Sequence, residues 1–128
     1  DLTGLADMAV AAERLWAAAD LTPGDIDTAF LYDHFTPLVF MQLEELGFCG
    51  PGEAKDFATF ENLTIGGRLP VNTNGGLLGE AYIHGMNGIT ESVRQVRGTA
   101  VNQVPEVEHV LVTAGTGVPT SALILGRP

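Results

Sequence analysis

The chain has 128 residues, of which 45% are apolar and 17% charged, and this suits one globular domain. Its net charge of −10 would repel nucleic acid and anionic lipid at long range, so we expect neither as a partner. The single cysteine, Cys49, excludes an internal disulfide framework and favours a reducing cytoplasm. No apolar run reaches the roughly 18 residues of a membrane span.

The first half of the chain alternates helix and strand. Apolar residues at helical spacing predict an amphipathic helix over 3–19. The stretch LTPGDID predicts a single helical turn capped by Thr22. DTAFLYDHF predicts a short buried strand from Thr28 to Tyr32. FTPLVFMQLEELG predicts a helix that is capped by Thr36 and stopped by Gly47.

The second half begins with a loop, CGPGEAKDFATFENL, that has room for one helical turn. After a loop rich in glycine and asparagine, the pattern predicts a helix from about Leu78 to Arg97. HVLVTAGTG and TSALILG predict two buried strands joined by a Gly-Val-Pro turn at 117–119. The order of elements predicts an α/β fold whose sheet is covered by helices.

Three polar clusters stand at the ends of predicted elements: YDHF (32–35), EAYIHG (80–85) and TAGTG (113–117). In α/β folds, ligands gather where strands end and helices begin. If the three clusters meet at one edge of the sheet, they form a site.

Each cluster also has a purely structural interpretation. Tyr32 suits a buried tyrosine whose hydroxyl bonds to backbone, and Asp33 suits a helix cap as well as an acid that orients a base. Tyr82 could equally fill the core, in which case the glycines before it serve only the packing of the loop. No metal-ligand spacing joins the three histidines, His34, His84 and His109, so we predict no metal site.

Several motifs resemble thiolases. VNTNGGLLGEAYIHGMNG resembles their Asn-x-x-Gly-Gly … Gly-His-Pro-x-Gly-x-Ser/Thr-Gly block. DTAFLYDHF resembles the segment that holds Asn-Glu-Ala-Phe, or His-Asp-Cys-Phe in sterol-carrier-type thiolases. HVLVTAGTGVPTSALIL resembles the closing strands around Cys-x-Gly. The residues in register with the first block are Asn72, Gly75, Gly76, Gly85 and Gly88.

The resemblance implies the C-terminal half of a thiolase fold, a mixed sheet covered by helices in layers. Residues 1–128 would form this one domain. The N-terminal half, which carries the usual nucleophilic cysteine, is not in the chain, and the first residue is Asp1 rather than Met. We therefore expect a piece of a larger polypeptide.

The chain departs from thiolases at the residues that carry their chemistry. Tyr82 stands where they place the active-site histidine, and Tyr32 where they place the Asn or His of an oxyanion hole. No cysteine occurs around Thr113–Gly117. These replacements resemble the lipid-transfer-protein-type aldolases of bacterial steroid and cholesterol catabolism. The resemblance implies a lyase that cleaves the side chain of a β-hydroxyacyl-CoA steroid by a retro-aldol reaction, giving a ketosteroid and propionyl-CoA.

Such a cleavage needs a base for the hydroxyl proton, donors for the thioester enolate and an acid for its carbon. It needs no nucleophile, and we expect no cofactor because CoA is part of the substrate. We predict that Tyr32 and Tyr82 transfer the protons, with either as the acid. To act as a base, a tyrosine needs an activating neighbour, for which His34, His84 or Asp33 are the candidates.

The glycine-rich loops would bind the acyl-CoA, with backbone N–H groups of 72–79 and 113–117 facing the enolate oxygen. The candidate residues are Asn72, Asn74, Gly75, Gly76, Gly115 and Gly117.

The resemblance also implies a small partner subunit with an OB-fold and a zinc ribbon. It implies a homodimer through the missing N-terminal half, and hence a heterotetramer. Two alternatives remain: a non-catalytic acyl-CoA or sterol-binding module, and a thiolase whose cysteines come from the absent half. The second needs a histidine at position 82.

Overall fold

Three strands form one mixed sheet in the order β1-β2-β3 in a computed structural model, which describes residues 4–117 and 120–127. β1 (Thr28–Phe30) runs parallel to β2 (His109–Ala114), and β2 runs antiparallel to β3 (Ser121–Gly126). At the free edge of β1, Ala29 makes a parallel bridge to Val71. The parallel pairing brings the carboxyl ends of β1 and β2 to the same edge of the sheet.

Helices cover both faces of this sheet. In chain order they are α1 (Ala6–Ala19), a 3-10 turn (Pro23–Asp25), α2 (Thr36–Glu45), α3 (Ala54–Phe57), α4 (Phe60–Leu63), α5 (Gly76–Gly79) and α6 (Met86–Arg97).

The core is divided by the sheet into two clusters, because side chains alternate between the faces of a strand. Ala29 and Leu31 pack in the cluster that holds α1 and α2, whereas Phe30 packs in the cluster under α6. The predicted fold class, α/β with a mixed sheet between layers of helices, is confirmed. The buried members are Met8, Ala12, Ile26, Ala29, Leu31, Leu43, Leu46, Phe48, Phe57, Leu69 and Leu111 in the first cluster, and Phe30, Val104, Val107, Val110 and Val112 in the second.

Most of the predicted elements are confirmed, with shifted ends. The first helix begins at Ala6, and Thr3 lies outside the described residues. The turn after α1 has a capping box between Thr22 and Asp25, and Gly47 follows α2 with a φ of 81°. Phe35, not Thr36, occupies the cap position of α2. The loop after α2 contains two short helices rather than one, and Val118 and Pro119 of the predicted turn lie outside the described residues.

The first strand ends at Phe30 rather than at Tyr32, because side chains replace its backbone partners. The N–H of Leu31 donates to Oδ1 of Asn72 (2.9 Å), and the N–H of Tyr32 donates to Oγ1 of Thr113 (2.8 Å).

The helix predicted from Leu78 to Arg97 is wrong over its first third. α5 ends at Gly79, Glu80 is extended, and α6 begins only after Gly85, whose φ of 72° is incompatible with a helix. Tyr82 and His84 therefore lie in a loop, residues 80–85, and not in the first turn of a helix.

Within residues 4–117 and 120–127, no helix is long and apolar enough to cross a membrane. The same residues contain no group of three His, Cys, Asp or Glu side chains close enough to hold a metal ion.

Candidate active site

The three polar clusters approach one another at the carboxyl edge of β1 and β2. Tyr32 follows β1 by two residues, and Thr113 is the next-to-last residue of β2. The 80–85 loop crosses this edge and brings Tyr82 and His84 to Tyr32.

Tyr32, Tyr82 and His84 form one hydrogen-bonded cluster. The hydroxyl of Tyr82 bonds both to the hydroxyl of Tyr32 and to Nδ1 of His84. The hydroxyl of Tyr32 lies 3.0 Å from the same Nδ1. Three groups that can gain or lose a proton thus touch pairwise, which is the arrangement that proton transfer requires.

The two tyrosines lie in different environments. Tyr32 is 6% exposed, whereas Tyr82 is 51% exposed. Burial, followed by the hydrogen bond to Tyr82 and that residue's charge, raises the pKa of Tyr32 to about 12. Tyr32 is therefore a neutral hydrogen-bond donor throughout the physiological range.

The backbone of Tyr32 is held by two buried side chains. Its N–H donates to Oγ1 of Thr113, and its C=O accepts from Nε2 of Gln42 (2.8 Å). The hydroxyl of Thr113 donates in turn to Oε1 of Gln42 (2.6 Å). This closed set of bonds fixes the point from which the Tyr32 ring projects.

His34 lies beside the cluster but outside its hydrogen bonds. Its ring centroid is 4.8 Å from that of Tyr32 and 4.9 Å from that of Phe35. Its Nδ1 is buried and, among the described residues, has no hydrogen-bond partner. His34 thus packs against Tyr32, while His84 is the histidine that contacts both hydroxyls.

Among the described residues, Asp33 has no hydrogen bond to either tyrosine and bonds to α5 instead. Its buried carboxylate accepts from the N–H of Leu77 (2.7 Å) at the start of α5. A Cβ on Gly76 would lie 2.1 Å from Oδ2 of Asp33, so only glycine allows this approach. Of the two interpretations of Asp33, this geometry corresponds to the helix cap, here of α5.

The predicted acyl-CoA-binding residues have varied surroundings. The side chain of Asn72 bonds to both the N–H and the C=O of Leu31, so it extends the edge of β1. Gly75 is the cap of α5. Gly115 and Gly117 follow β2, where the C=O of Gly115 accepts from Oγ1 of Thr120.

Asn74 belongs to a second polar network. Its Oδ1 accepts from the N–H of Gly76 (3.1 Å), and its Nδ2 donates to Glu80 (2.9 Å). Glu80 also accepts from Nδ2 of Asn87 (3.0 Å). This network lies at the base of the loop that carries Tyr82.

A cavity of about 20 Å³ lies between the strand ends and the 80–85 loop, with room for one water molecule. Its lining includes Tyr32, Asp33, Asn72, Asn74, Asn87 and Thr113.

The sequence did not indicate that Gln42 and Thr113 are hydrogen-bond partners of Tyr32. It also did not indicate the hydrogen bond between Glu80 and Asn87. The detectable signal for Gln42 was a glutamine within the apolar run of α2, and the structure buries it fully. Nothing in the spacing of Glu80 and Asn87 indicated their contact, because a helix was predicted there. Cys49 is half-buried, and burial raises the pKa of its thiol, which disfavours the thiolate that a nucleophile needs.

Residues 1–127 match the family model described as "Thiolase C-terminal domain-like". The chain belongs to this family, which confirms the resemblance found in the motifs. It is 68% identical over 126 residues to the 17-hydroxy-3-oxo-4-pregnene-20-carboxyl-CoA lyase of Mycobacterium tuberculosis, covering 98% of this chain and 33% of that protein. It is 67% identical over 126 residues to the steroid side-chain-cleaving aldolase of Thermomonospora curvata, covering 98% and 32%.

A solved structure titled "Ltp2-ChsH2(DUF35) aldolase" matches with a TM-score of 0.96 and 66% identity, over 99% of this chain and 33% of that chain. The chain therefore spans about a third of the length of the curated relatives it matches.

Proposed function

We propose that this chain is the catalytic C-terminal part of an aldolase that cleaves the side chain of a 17-hydroxysteroid acyl-CoA. The observation that carries the proposal is the pairwise contact of Tyr32, Tyr82 and His84. The names of the two relatives above give the substrate class.

The products follow from the bond that breaks. The C17 hydroxyl loses its proton, the bond from C17 to C20 breaks, and its electron pair forms the enolate of the thioester. C17 becomes a ketone. C20, which keeps its methyl group and the thioester carbonyl, gains a proton, so the second product is propionyl-CoA. The reaction consumes no cofactor, since CoA enters and leaves on the substrate.

We assign the base to Tyr82 and the acid to Tyr32. Tyr82 is the accessible tyrosine, and its hydroxyl contacts Nδ1 of His84, which is the activating neighbour. Tyr32 is buried, and its raised pKa keeps it protonated, as an acid requires.

His84 completes a closed proton path. The oxygen of Tyr82 takes the substrate proton while its own proton moves to Nδ1 of His84. Tyr32 gives its proton to the enolate carbon, and Nδ1, 3.0 Å away, returns a proton to Tyr32. Each group ends the cycle in its starting state, and no proton comes from solvent.

The remaining candidates take supporting roles in this proposal. His34 packs on the Tyr32 ring, and Asp33 anchors α5. The backbone around Asn72, Asn74, Gly75 and Gly76, with that of Gly115 and Gly117, approaches the thioester, and its N–H groups stabilise the enolate oxygen.

The first prediction concerns the two tyrosines. Tyr32→Phe and Tyr82→Phe each remove one hydroxyl, and each should lower kcat at least about 100-fold, the usual scale of general acid–base catalysis. The full-length protein is assayed for ketosteroid and propionyl-CoA, and its thermal unfolding confirms that the fold is kept. Wild-type turnover in both variants would overturn the assignment.

A second prediction separates His84 from its neighbours. His84→Gln should cause a loss of kcat comparable to that of Tyr82→Phe, because the proton then has no path from Tyr82 to Tyr32. His109→Gln, at the far end of β2, is the matched control and should leave kcat unchanged. Equal losses in both histidine variants would show that the effect is not local.

The same assay discriminates the alternative functions. Binding of the acyl-CoA without cleavage would favour a non-catalytic binding module. Acyl transfer to free CoA would favour a thiolase.

We further propose that the full-length protein dimerises through its N-terminal part. It would bind a small OB-fold and zinc-ribbon subunit to form a heterotetramer in the cytoplasm. The support is that a matching solved structure carries a two-component title. Co-expression followed by size-exclusion chromatography tests this, and a fully active protein without a second subunit would contradict it.

A further inference from the structure

The loop that carries Tyr82 is not held by apolar packing. Ala81, Tyr82, Ile83 and His84 are all exposed. A loop without buried apolar side chains is ordered only as far as its hydrogen bonds order it. The position of the Tyr82 hydroxyl therefore depends on the polar groups at the base of the loop.

Asn87, in the first turn of α6, bonds to both backbone neighbours of Tyr82. Its Oδ1 accepts from the N–H of Ile83 (2.8 Å), and its Nδ2 donates to the C=O of Ala81 (3.0 Å). One amide side chain thus fixes the peptide groups before and after the tyrosine.

Glu80 reinforces the orientation that Ala81 and Ile83 give this amide. A carboxylate can only accept, so Oε2 of Glu80 requires the NH₂ group of Asn87 and leaves its Oδ1 for Ile83. The same oxygen accepts from Nδ2 of Asn74, ahead of α5. Glu80 consequently ties the segment before α5 to the start of α6 and closes the base of the loop.

We propose that Glu80 is a positioning residue, which acts through Asn87 to hold the Tyr82 hydroxyl against Tyr32 and His84. This inference rests on the proposed function and extends it, since Glu80 itself contacts neither tyrosine hydroxyl. Both of its partners are neutral amides, so its acceptor-only chemistry is what the site uses.

Kinetics of the full-length protein test the proposal. Glu80→Ala should lower kcat by at least about 10-fold with little change in KM, as expected for a misplaced catalytic group. In a Tyr82→Phe background, Glu80→Ala should lower kcat no further, because the group it positions is gone. Glu13→Ala, on the exposed side of α1, is the matched control and should not change kcat.

Glu80→Gln keeps the size of the side chain, and its amide oxygen can take the place of Oε2 and accept both bonds, but without the carboxylate charge these bonds are weaker. It should give an intermediate loss of kcat and unfold at nearly the wild-type temperature, so it remains informative if Glu80→Ala folds poorly. Wild-type kcat in Glu80→Gln and Glu80→Ala would overturn the proposal, as would equal losses with and without the Tyr82 hydroxyl.

Amide hydrogen exchange provides a measurement that does not depend on turnover. Residues 80–87 should exchange faster in Glu80→Ala than in wild type, and faster than in Tyr82→Phe, which keeps the bonds of Asn87 at the base of the loop. Unchanged exchange in Glu80→Ala would overturn the role of Glu80 in holding the loop. Absence of cleavage by the wild type would instead overturn the proposed function, while the exchange result would still decide whether Glu80 fixes this loop.

Discussion

At the residue scale, Tyr32 links the site to the stability of the fold. Its pKa of about 12 in the folded chain lies above its ordinary value of 10.0. Between these two values the unfolded chain has released the tyrosine proton, whereas the folded chain retains it. The unfolded state then binds fewer protons, so the free energy of unfolding falls as pH rises.

We therefore predict that the contribution of Tyr32 to the free energy of unfolding is fully present below pH 10 and is lost as pH rises through about 12. Tyr32→Phe has no proton to release, so its free energy of unfolding should lack this decrease. Denaturant unfolding of both proteins across this range measures it. Parallel pH profiles for the two proteins would contradict the raised pKa.

Thr113 allows a second prediction at this scale. Thr113→Val leaves the N–H of Tyr32 and Oε1 of Gln42 without their partner in a buried setting. Each such group costs about 1–3 kcal/mol, so the free energy of unfolding should fall by at least that amount. Thr113→Ser keeps the hydroxyl and is the control in denaturant unfolding. Equal losses in both variants would contradict a stabilising role of the hydroxyl.

At the scale of elements, two glycines of α5 form a matched pair. Gly76 has a φ of 65°, and a Cβ there would overlap the carboxylate of Asp33, whereas a Cβ on Gly79 would meet nothing within 4 Å. Gly76→Ala should therefore destabilise the protein by about 1–3 kcal/mol. Gly79→Ala should be neutral or slightly stabilising. Thermal unfolding compares them, and equal effects would contradict the close approach of Asp33.

The elements with strong local signals could be predicted from the sequence. These local signals are the helical pattern of α1, the stop at Gly47 after α2 and the apolar runs of β2 and β3. Each depends only on residues that are close together in the chain. The clusters YDHF, EAYIHG and TAGTG were expected to form a site if they met at one edge of the sheet. Tyr32, Tyr82 and Thr113 do meet there.

The break between α5 and α6 could not be predicted in this way. Residues 78–97 contain apolar positions at helical spacing. The backbone C=O of Ala81 and N–H of Ile83 nevertheless bond to the side chain of Asn87 rather than to helical partners. Asn87 also bonds to Glu80, and Glu80 bonds to Asn74, which lies before α5. A contact between side chains on different elements leaves no periodic signal, so the loop and its polar base were missed together.

At the scale of the whole molecule, Gln95 joins segments that are distant in sequence. This buried side chain of α6 donates to Oγ1 of Thr73 (3.1 Å) and to the C=O of Asn102 (2.8 Å), and it accepts from the N–H of Val104 (3.0 Å). It connects α6 to the loop before α5 and to the segment that leads into β2.

Gln95→Leu should therefore lower the free energy of unfolding by about 2–4 kcal/mol, because it leaves several buried polar groups without partners at once. Arg97→Gln, on the exposed end of the same helix, should change it by less than about 0.5 kcal/mol. Denaturant unfolding measures both. A neutral Gln95→Leu would mean that the segment before β2 holds its position without this side chain.

The parallel pairing of β1 with β2 also affects the order in which the chain folds. Tyr32 and the threonine that holds it are 81 residues apart in the chain. During synthesis the tyrosine leaves the ribosome long before its partner, and the entropy of closing so long a loop slows folding. We therefore expect the proton path to be complete only after the second strand has docked and its threonine holds Tyr32, so a nascent chain that stops short of that strand should lack it.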